Sequence, residues 1–177
     1  MTSFRTALAC VLAASAAACG GASSDTSPKA APDAAAPAAA APAAAAPSGA
    51  PSADAPLVVV YKDPNCGCCN KWVDHMRQNG FRVEAHDTSS VDGIKDAAHV
   101  PAAARSCHIG LVNGYAIEGH VPAETVRRLL RERPAGVAGL AVPGMVTGSP
   151  GMEGPNPQRY DVIAFTRDGQ TSVYEKH

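Results

Sequence analysis

Three cysteines lie within four positions in the motif Cys66-Gly67-Cys68-Cys69 (the CxCC motif below), where a strand pattern changes into a helix pattern. The apolar residues 57–61 precede the motif and predict a strand, and an amphipathic helix pattern follows it. A buried structural thiol usually occurs singly on an apolar face, whereas the free N–H groups at a helix N-terminus favour thiolate over thiol. We therefore predict nucleophilic, metal-binding sulfurs here. Three inert or disulfide-bonded cysteines are the alternative.

Residues 1–19 have the pattern of an export signal. Arg5 is followed by an apolar run over residues 7–18, which is too short to span a membrane. The run ends before Cys19, and the preceding alanines resemble a lipoprotein box, although leucine is usual where Ala16 stands. We expect lipidation of Cys19 and a membrane-tethered protein. Ordinary cleavage of the signal peptide is the alternative.

Residues 20–56 are nearly all alanine, proline and serine, and prolines recur every four or five residues from Pro28 onward. Proline at this spacing interrupts every helical turn, and the segment has little apolar bulk to bury, so it is predicted to be disordered. At ~3 Å per residue it forms a tether of up to roughly 100 Å. An accidental low-complexity insert would have the same properties.

Residues 57–177 are long enough for one folded domain with a single core. The chain has 15 basic and 16 acidic residues, and 13 of each sign lie in this domain. A nucleic-acid-binding surface needs an excess of positive charge to neutralise phosphates. The neutral balance therefore argues against nucleic acid as a partner.

The domain alternates strand and helix patterns. Strands are predicted at residues 57–61, 81–86, 107–112 and 115–121, and helices at the CxCC motif, around Ile94 and after Pro122. The order β-α-β-α-β-β-α is that of a thioredoxin-like α/β domain. A C-terminal hairpin, residues 160–166 and 170–174, is predicted after a long loop. This loop, residues 134–159, contains six glycines, five prolines and the methionines Met145 and Met152.

Four cysteines remain if the signal is removed and Cys19 is lipidated: Cys66, Cys68, Cys69 and Cys107. An even number in an exported protein normally suggests disulfides. Adjacent cysteines make two useful disulfides awkward, because a vicinal disulfide is strained. A soft metal ion held by thiolates is the better account. The rival hypothesis is an enzyme, since Cys66 and Cys69 have the Cys-x-x-Cys spacing of thiol–disulfide oxidoreductases.

Cys107 is expected to complete the site from a second segment of the chain. In a thioredoxin-like fold the third strand runs beside the first, so its start lies near the first strand–helix turn. We therefore predict that Cys107 faces Cys66 and Cys69. A core thiol on a buried strand is the alternative.

The other candidate ligands have weaker support from the sequence. Met152 is a candidate auxiliary thioether ligand, or else packs the loop onto the core. His75 is expected at the surface of the first helix, and His108 on the opposite side of its strand from Cys107. For these two histidines and His120, surface or structural roles are favoured over metal binding.

Four motifs occur in a characteristic order: Cys66-Gly67-Cys68-Cys69, Ser106-Cys107-His108, residues 114–122, and Gly148-Ser149-Pro150-Gly151-Met152-Glu153. Together they resemble the CopG-type family of bacterial periplasmic metal-binding proteins, which have a thioredoxin-like fold and are associated with copper resistance. The resemblance covers residues 57–177. One departure is Met145-Val146, where the family usually has Met-Pro.

The resemblance implies a periplasmic protein that holds copper with Cys66, Cys68, Cys69 and Cys107, alongside other periplasmic copper-resistance proteins. Adjacent cysteines on a helical turn point about 100° apart, which suits a single tetrahedral zinc ion poorly. Thiolates that bridge several Cu(I) ions fit better, so a multinuclear Cu(I) cluster is expected over zinc. A copper-centred redox activity is the alternative to sequestration.

Overall fold

The computed structural model describes residues 52–177, so the predicted signal peptide, Cys19 and most of the predicted tether lie outside the described residues. The elements are β1 Leu57–Lys62, α1 Gly67–Gln78, β2 Arg82–Asp87, α2 Val91–Ala97, a 3-10 turn Ala102–Ala104, β3 His108–Val112, β4 Tyr115–Glu118, α3 Ala123–Glu132, β5 Val137–Ala141, β6 Asp161–Thr166 and β7 Thr171–Lys176. None of the described helices combines the length and apolarity needed to cross a bilayer.

The seven strands form one mixed sheet in the order β2-β1-β3-β4-β5-β6-β7. β1 pairs in parallel with β2, and β4 in parallel with β5, while the other neighbours are antiparallel. The mixed α/β class agrees with the prediction from sequence, as does the order of elements from β1 to α3.

The sequence predicts no regular structure in residues 134–159, and for the first part of this range that is wrong. Val137–Ala141 forms β5 in the middle of the sheet, between β4 and β6. Gly139 lies so close to its neighbours that a Cβ atom there would approach the Phe165 ring to 2.5 Å. The glycine that suggested a loop is thus required by close packing inside the sheet.

The helices lie on both faces of the sheet. On one face α1 and α3 pack over the main core, to which α1 contributes Trp72, Val73 and Met76. On the other face α2 packs over a smaller cluster that contains Ile109 and Phe165. Because side chains alternate along a strand, Glu118, the partner of Ile109 on β4, also points toward α2.

The register of β1 and β3 places the two cysteine segments side by side. Lys62, the last residue of β1, is the cross-strand partner of His108, the first residue of β3. The CxCC motif follows β1, and Cys107 immediately precedes β3. Antiparallel pairing therefore brings the two segments to the same edge of the sheet.

Candidate metal centre

The turn after β1 is fixed by its own polar groups. The Asp63 carboxylate accepts a hydrogen bond from the Asn65 N–H at 2.7 Å, and the Asp63 carbonyl accepts one from the Cys66 N–H at 3.1 Å. Cys66 is the N-cap residue of α1, with an extended backbone and no side-chain capping hydrogen bond. The sulfurs of the motif therefore lie at the positive end of the helix dipole, where anionic thiolates are stabilised.

The structure joins Cys66 and Cys69 by a disulfide, whereas Cys68 and Cys107 are free thiols. This pair has the Cys-x-x-Cys spacing of the alternative hypothesis, a thiol–disulfide oxidoreductase. Positions i and i+3 of a helix lie on one face, so these two sulfurs meet without a vicinal bond. The Cys68 sulfur lies 3.4 Å from the Cys66 sulfur.

Cys107 contacts the motif from the second segment. Its sulfur lies 3.5 Å from the Cys69 sulfur. The four sulfurs of Cys66, Cys68, Cys69 and Cys107, the four-cysteine cluster, all lie within 4.8 Å of one another. Cys69 is fully buried and the other three are half-buried. The cluster is thus accessible to a small ion but largely shielded from water.

Two histidines contact the Cys107 sulfur, which the sequence analysis did not predict. His108 Nδ1 and His120 Nε2 each lie 3.2 Å from the Cys107 sulfur. Both histidines are fully buried, and the three residues form a second group of converging donor atoms. This group overlaps the four-cysteine cluster at Cys107.

The expectation that His108 points away from Cys107 is wrong. Cys107 precedes β3 and is not part of the sheet, so strand alternation does not govern the pair. His108 shares a face with Gly110, over which the Trp72 ring lies, and the His108 and Trp72 rings are 4.5 Å apart. His108 Nε2 has no hydrogen-bond partner among the described residues.

His120 is held in one tautomer by the loop after β5. Its Nδ1 lies 2.8 Å from the Pro150 carbonyl oxygen, which can only accept a hydrogen bond. Nδ1 therefore carries the proton, and the lone pair of Nε2 points to the Cys107 sulfur. A histidine oriented in this way is typical of metal sites, where the second ring nitrogen is bonded to a carbonyl or carboxylate.

Burial governs the protonation of this group. Burial, with the nearby Cys68 sulfur, raises the pKa of the Cys107 thiol to about 11. Burial also lowers the pKa of His120, and it lowers that of His108 well below the usual range. At neutral pH without metal, Cys107 is therefore a thiol that can donate a hydrogen bond to a neutral imidazole.

The loop that carries Met152 rests on the first turn of α1. A Cβ atom on Gly151 would lie 2.8 Å from both the Cys68 carbonyl oxygen and the Trp72 backbone nitrogen, so only glycine fits. Met152 follows directly and is half-buried. Met145, in the same loop, is exposed, and its sulfur lies 4.0 Å from the Ser106 hydroxyl, next to Cys107.

His75 does not contact the cluster, but it is not a free surface residue either. Its Nε2 accepts a hydrogen bond from the Ala123 N–H at 3.1 Å, which links α1 to the first residue of α3. The side chain is half-buried, and burial is the main cause of its lowered pKa. His75 therefore satisfies one of the free N–H groups at the start of α3.

The donor set fits a soft or borderline metal ion. Four sulfurs and two neutral imidazole nitrogens suit copper or zinc, whereas magnesium and calcium prefer oxygen ligands. The sequence predicts the four cysteines as ligands but favours other roles for the two histidines. Gly119, with its φ of +69°, marks the turn that brings His120 back toward Cys107.

The chain is similar to a described protein family and to solved structures. A family described as "Protein of unknown function, DUF411" matches residues 104–152, which include Cys107, His108, His120 and the loop as far as Met152. The solved structure "Copper resistance protein copG- Form 2" is 40% identical, with a TM-score of 0.66. The alignment covers 70% of this chain and 99% of that chain.

A second solved structure, "Copper resistance protein copG- Form 1", is 41% identical with a TM-score of 0.65, and the alignment covers 68% of this chain and 96% of that chain. No curated protein matches. Both structural relatives are matched over nearly their whole length at an identity that indicates common descent. The chain belongs to the CopG-type copper-resistance family.

Proposed function

We propose that this protein binds Cu(I) through the four-cysteine cluster and so sequesters or handles copper in copper resistance. The observation that carries the proposal is the convergence of four sulfurs from two distant segments to within 4.8 Å of one another. Thiolates are soft ligands that select Cu(I), and partial burial protects them from water and oxidants. The names of the two structural relatives support copper over other soft metals.

The proposed stoichiometry is more than one Cu(I) per chain. The sulfurs of Cys66 and Cys68 form one close pair, and those of Cys69 and Cys107 form a second. Thiolates in such pairs can bridge several Cu(I) ions, whereas the adjacent Cys68 and Cys69 on one helical turn suit a single tetrahedral zinc ion poorly. His108, His120 and the Met152 thioether are candidate additional ligands, because the first two contact Cys107 and the third follows Gly151 on the loop.

Two chemical changes must precede full copper binding. The Cys66–Cys69 disulfide must be reduced, because a cysteine binds the metal as a thiolate. The Cys107 thiol must also lose its proton, so copper binding releases protons and weakens at low pH. His120 Nε2 lies 3.2 Å from the sulfur and is placed to accept this proton or to bind copper itself.

The test is an anaerobic titration of the reduced protein with Cu(I) against a chromophoric Cu(I) chelator. More than one copper bound per chain, with thiolate-to-copper absorption in the ultraviolet, is expected. Saturation at one ion, or equal competition by zinc, would contradict the multinuclear site. Absence of any binding would contradict the proposed function itself.

The Cys66–Cys69 disulfide favours a second candidate, an oxidoreductase centred on copper. Two thiolates that join in a disulfide release two electrons, which reduce two Cu(II) ions to Cu(I). An ordinary disulfide reductase is less favoured, because Cys68 lies 3.4 Å from Cys66 and would compete in thiol exchange. Adding Cu(II) to the reduced protein should give one disulfide for every two Cu(I) ions, whereas activity on a disulfide-bonded substrate would support the reductase.

We further propose that the domain is thioredoxin-like, extended by β5, β6 and β7, and held at the periplasmic side of a membrane by lipid on Cys19. The order of elements from β1 to α3 supports the first part, and the sequence around Cys19 supports the second. The Cys19→Ser variant should move the protein from the membrane fraction to the soluble fraction. An unchanged distribution would contradict the lipid anchor.

A further inference from the structure

A buried ion pair lies beneath Cys107 and outside the four-cysteine cluster. Lys95 Nζ, on α2, lies 2.8 Å from Glu118 Oε1, on β4, and the two side chains are only 3% and 0% exposed. A lysine or glutamate is almost never fully buried unless it is paired, and a buried pair is often no more stabilising than apolar residues of the same size. The position of this pair therefore calls for an explanation other than fold stability.

Both members of the pair bind the backbone of Ser106, the residue before Cys107. Glu118 Oε1 accepts a hydrogen bond from the Ser106 N–H at 2.6 Å. Lys95 Nζ donates one to the Ser106 carbonyl oxygen at 2.5 Å. That carbonyl belongs to the peptide unit that ends at the Cys107 nitrogen, so the ammonium group fixes the plane of this peptide.

The sheet alone does not fix the backbone at Cys107. β3 begins at His108, whose carbonyl oxygen accepts a hydrogen bond from the Gly119 N–H at 2.9 Å. Cys107 lies one residue before this first ladder bond. Its orientation therefore depends on the sheet on one side and on Lys95 and Glu118 on the other.

The Ser106 side chain completes the support. Its hydroxyl donates a hydrogen bond to the Gly144 carbonyl oxygen at 2.5 Å. A Cβ atom on Gly119 would lie 2.6 Å from the Ser106 side chain, so glycine is needed for this approach. All three polar groups of Ser106 thus have partners.

We propose that Lys95 and Glu118 are positioning residues that hold Cys107 against Cys69 for copper binding. This inference rests on the proposed function for its purpose, but the geometry it asserts can be tested without copper. The ion pair acts through the Ser106 backbone, and neither charged group is hydrogen-bonded to a sulfur. Replacing both charges together avoids leaving one of them buried without a partner.

The first measurement is the effective concentration of Cys107 relative to Cys69. In a C66S/C68S background only these two domain thiols remain, and a glutathione redox buffer oxidises them to a disulfide with release of two reduced glutathiones. The equilibrium constant reports how well the two sulfurs, 3.5 Å apart in the structure, are held together. We expect K95M/E118M to lower this equilibrium constant by about tenfold or more, because without the ion pair the segment that carries Cys107 samples many orientations.

A matched control removes an exposed ion pair between the same two segments. Asp96 on α2 pairs with Arg105, adjacent to Ser106, and both are partly or largely exposed. Asp96→Asn should leave the effective concentration unchanged. Suppose that K95M/E118M leaves the effective concentration within about twofold of the value in the C66S/C68S protein, and that the urea midpoint is unchanged or higher. The positioning role is then overturned.

K95M/E118Q covers the case in which K95M/E118M does not fold. It keeps an oxygen for the Ser106 N–H and leaves no buried charge without a partner, but it loses the Lys95 hydrogen bond to the Ser106 carbonyl oxygen. A loss of about threefold in effective concentration is expected, and an unchanged value would overturn the proposal.

A second measurement separates this inference from the proposed function. In the otherwise unaltered chain, K95M/E118M should reduce Cu(I) affinity and alter the thiolate-to-copper absorption, as is also expected for Cys107→Ala. If Cys107→Ala loses copper and K95M/E118M binds it normally, the positioning role fails and the copper function stands. If no variant, nor the parent, binds Cu(I), the copper function fails, and the glutathione measurement still decides the positioning role.

Discussion

The sulfurs of Cys69 and Cys107 lie 3.5 Å apart although 38 residues separate them. Cys69 is on the first turn of α1, and Cys107 precedes β3. Their contact depends on the antiparallel pairing of β1 with β3, which brings the end of one strand to the start of the other. The candidate site is therefore a product of the whole fold and not of the CxCC motif alone.

Cys107→Ala should abolish most copper binding while the fold survives. Outer partners of metal ligands typically contribute 10- to 100-fold in affinity, so loss of a ligand should cost more than ~100-fold. The loss of stability should be modest, about 1 kcal/mol. A Cu(I) competition titration and urea unfolding measure the two effects.

Val112→Ala is the matched control for Cys107→Ala. Val112 is buried at the other end of β3 and belongs to the main core, so the variant loses roughly 1–3 kcal/mol of stability without touching a sulfur. It should bind copper normally. Full copper stoichiometry and affinity in Cys107→Ala would instead identify Cys107 as an ordinary core thiol.

His120→Ala should weaken copper binding by about 10- to 100-fold. The variant removes the imidazole nitrogen at 3.2 Å from the Cys107 sulfur, and it frees the loop at Pro150. His86→Ala is the control, because His86 is exposed and pairs with Glu84 on β2. Equal copper affinities in the two variants would exclude a role for His120 in the site.

Much of the fold follows from local patterns in the sequence. The apolar run before the cysteines, the helix after them and the Asn113-Gly114 hairpin each predict an element that the structure contains. The close approach of Cys107 to Cys69 also agrees with the prediction, because the thioredoxin-like order of elements implies that the third strand lies beside the first, as it does in the sheet. The sequence predicts a loop in place of β5. Gly139 is required there by its close packing against Phe165, and no local sequence pattern reveals that contact.

The histidines and the buried ion pair could not be predicted in the same way. The sequence pattern predicts the wrong side for His108, because it places Cys107 inside the strand, whereas β3 begins one residue later. Lys95 and Glu118 are 23 positions apart, and each looks like an ordinary surface charge in the sequence. Their burial depends on α2 packing onto the sheet, a tertiary contact without a local signal.

Gly151→Ala should destabilise the protein and weaken copper binding together. Gly151 has a φ of +83°, and its Cβ would collide with backbone atoms of Cys68 and Trp72, which cannot move aside as a flexible side chain can. Gly169 also has a φ of +83° but has open space around it, so Gly169→Ala isolates the conformational strain, roughly 1–2 kcal/mol. Urea unfolding should show a larger loss for Gly151→Ala, and only that variant should lose copper affinity. Equal losses would mean that the loop does not rest on α1 in solution.

The metal-free, reduced protein should lose stability as the pH falls below about 6.5, the ordinary pKa of histidine. Burial lowers the pKa of His75, His108 and His120 in the folded state. Between the folded and unfolded pKa values the unfolded chain binds more protons, so acid favours unfolding. The stabilising effect is fully present above pH 6.5 and is lost as the pH falls through the lowered pKa values of the folded state.

His75→Gln isolates one contribution away from the sulfurs, because the amide oxygen can still accept the Ala123 N–H hydrogen bond but does not titrate. Urea unfolding of both proteins at pH 7.5 and pH 5.5 should give a smaller decrease for the variant. An identical decrease would show that His75 is protonated equally in the folded and unfolded chains, contrary to its burial between α1 and α3.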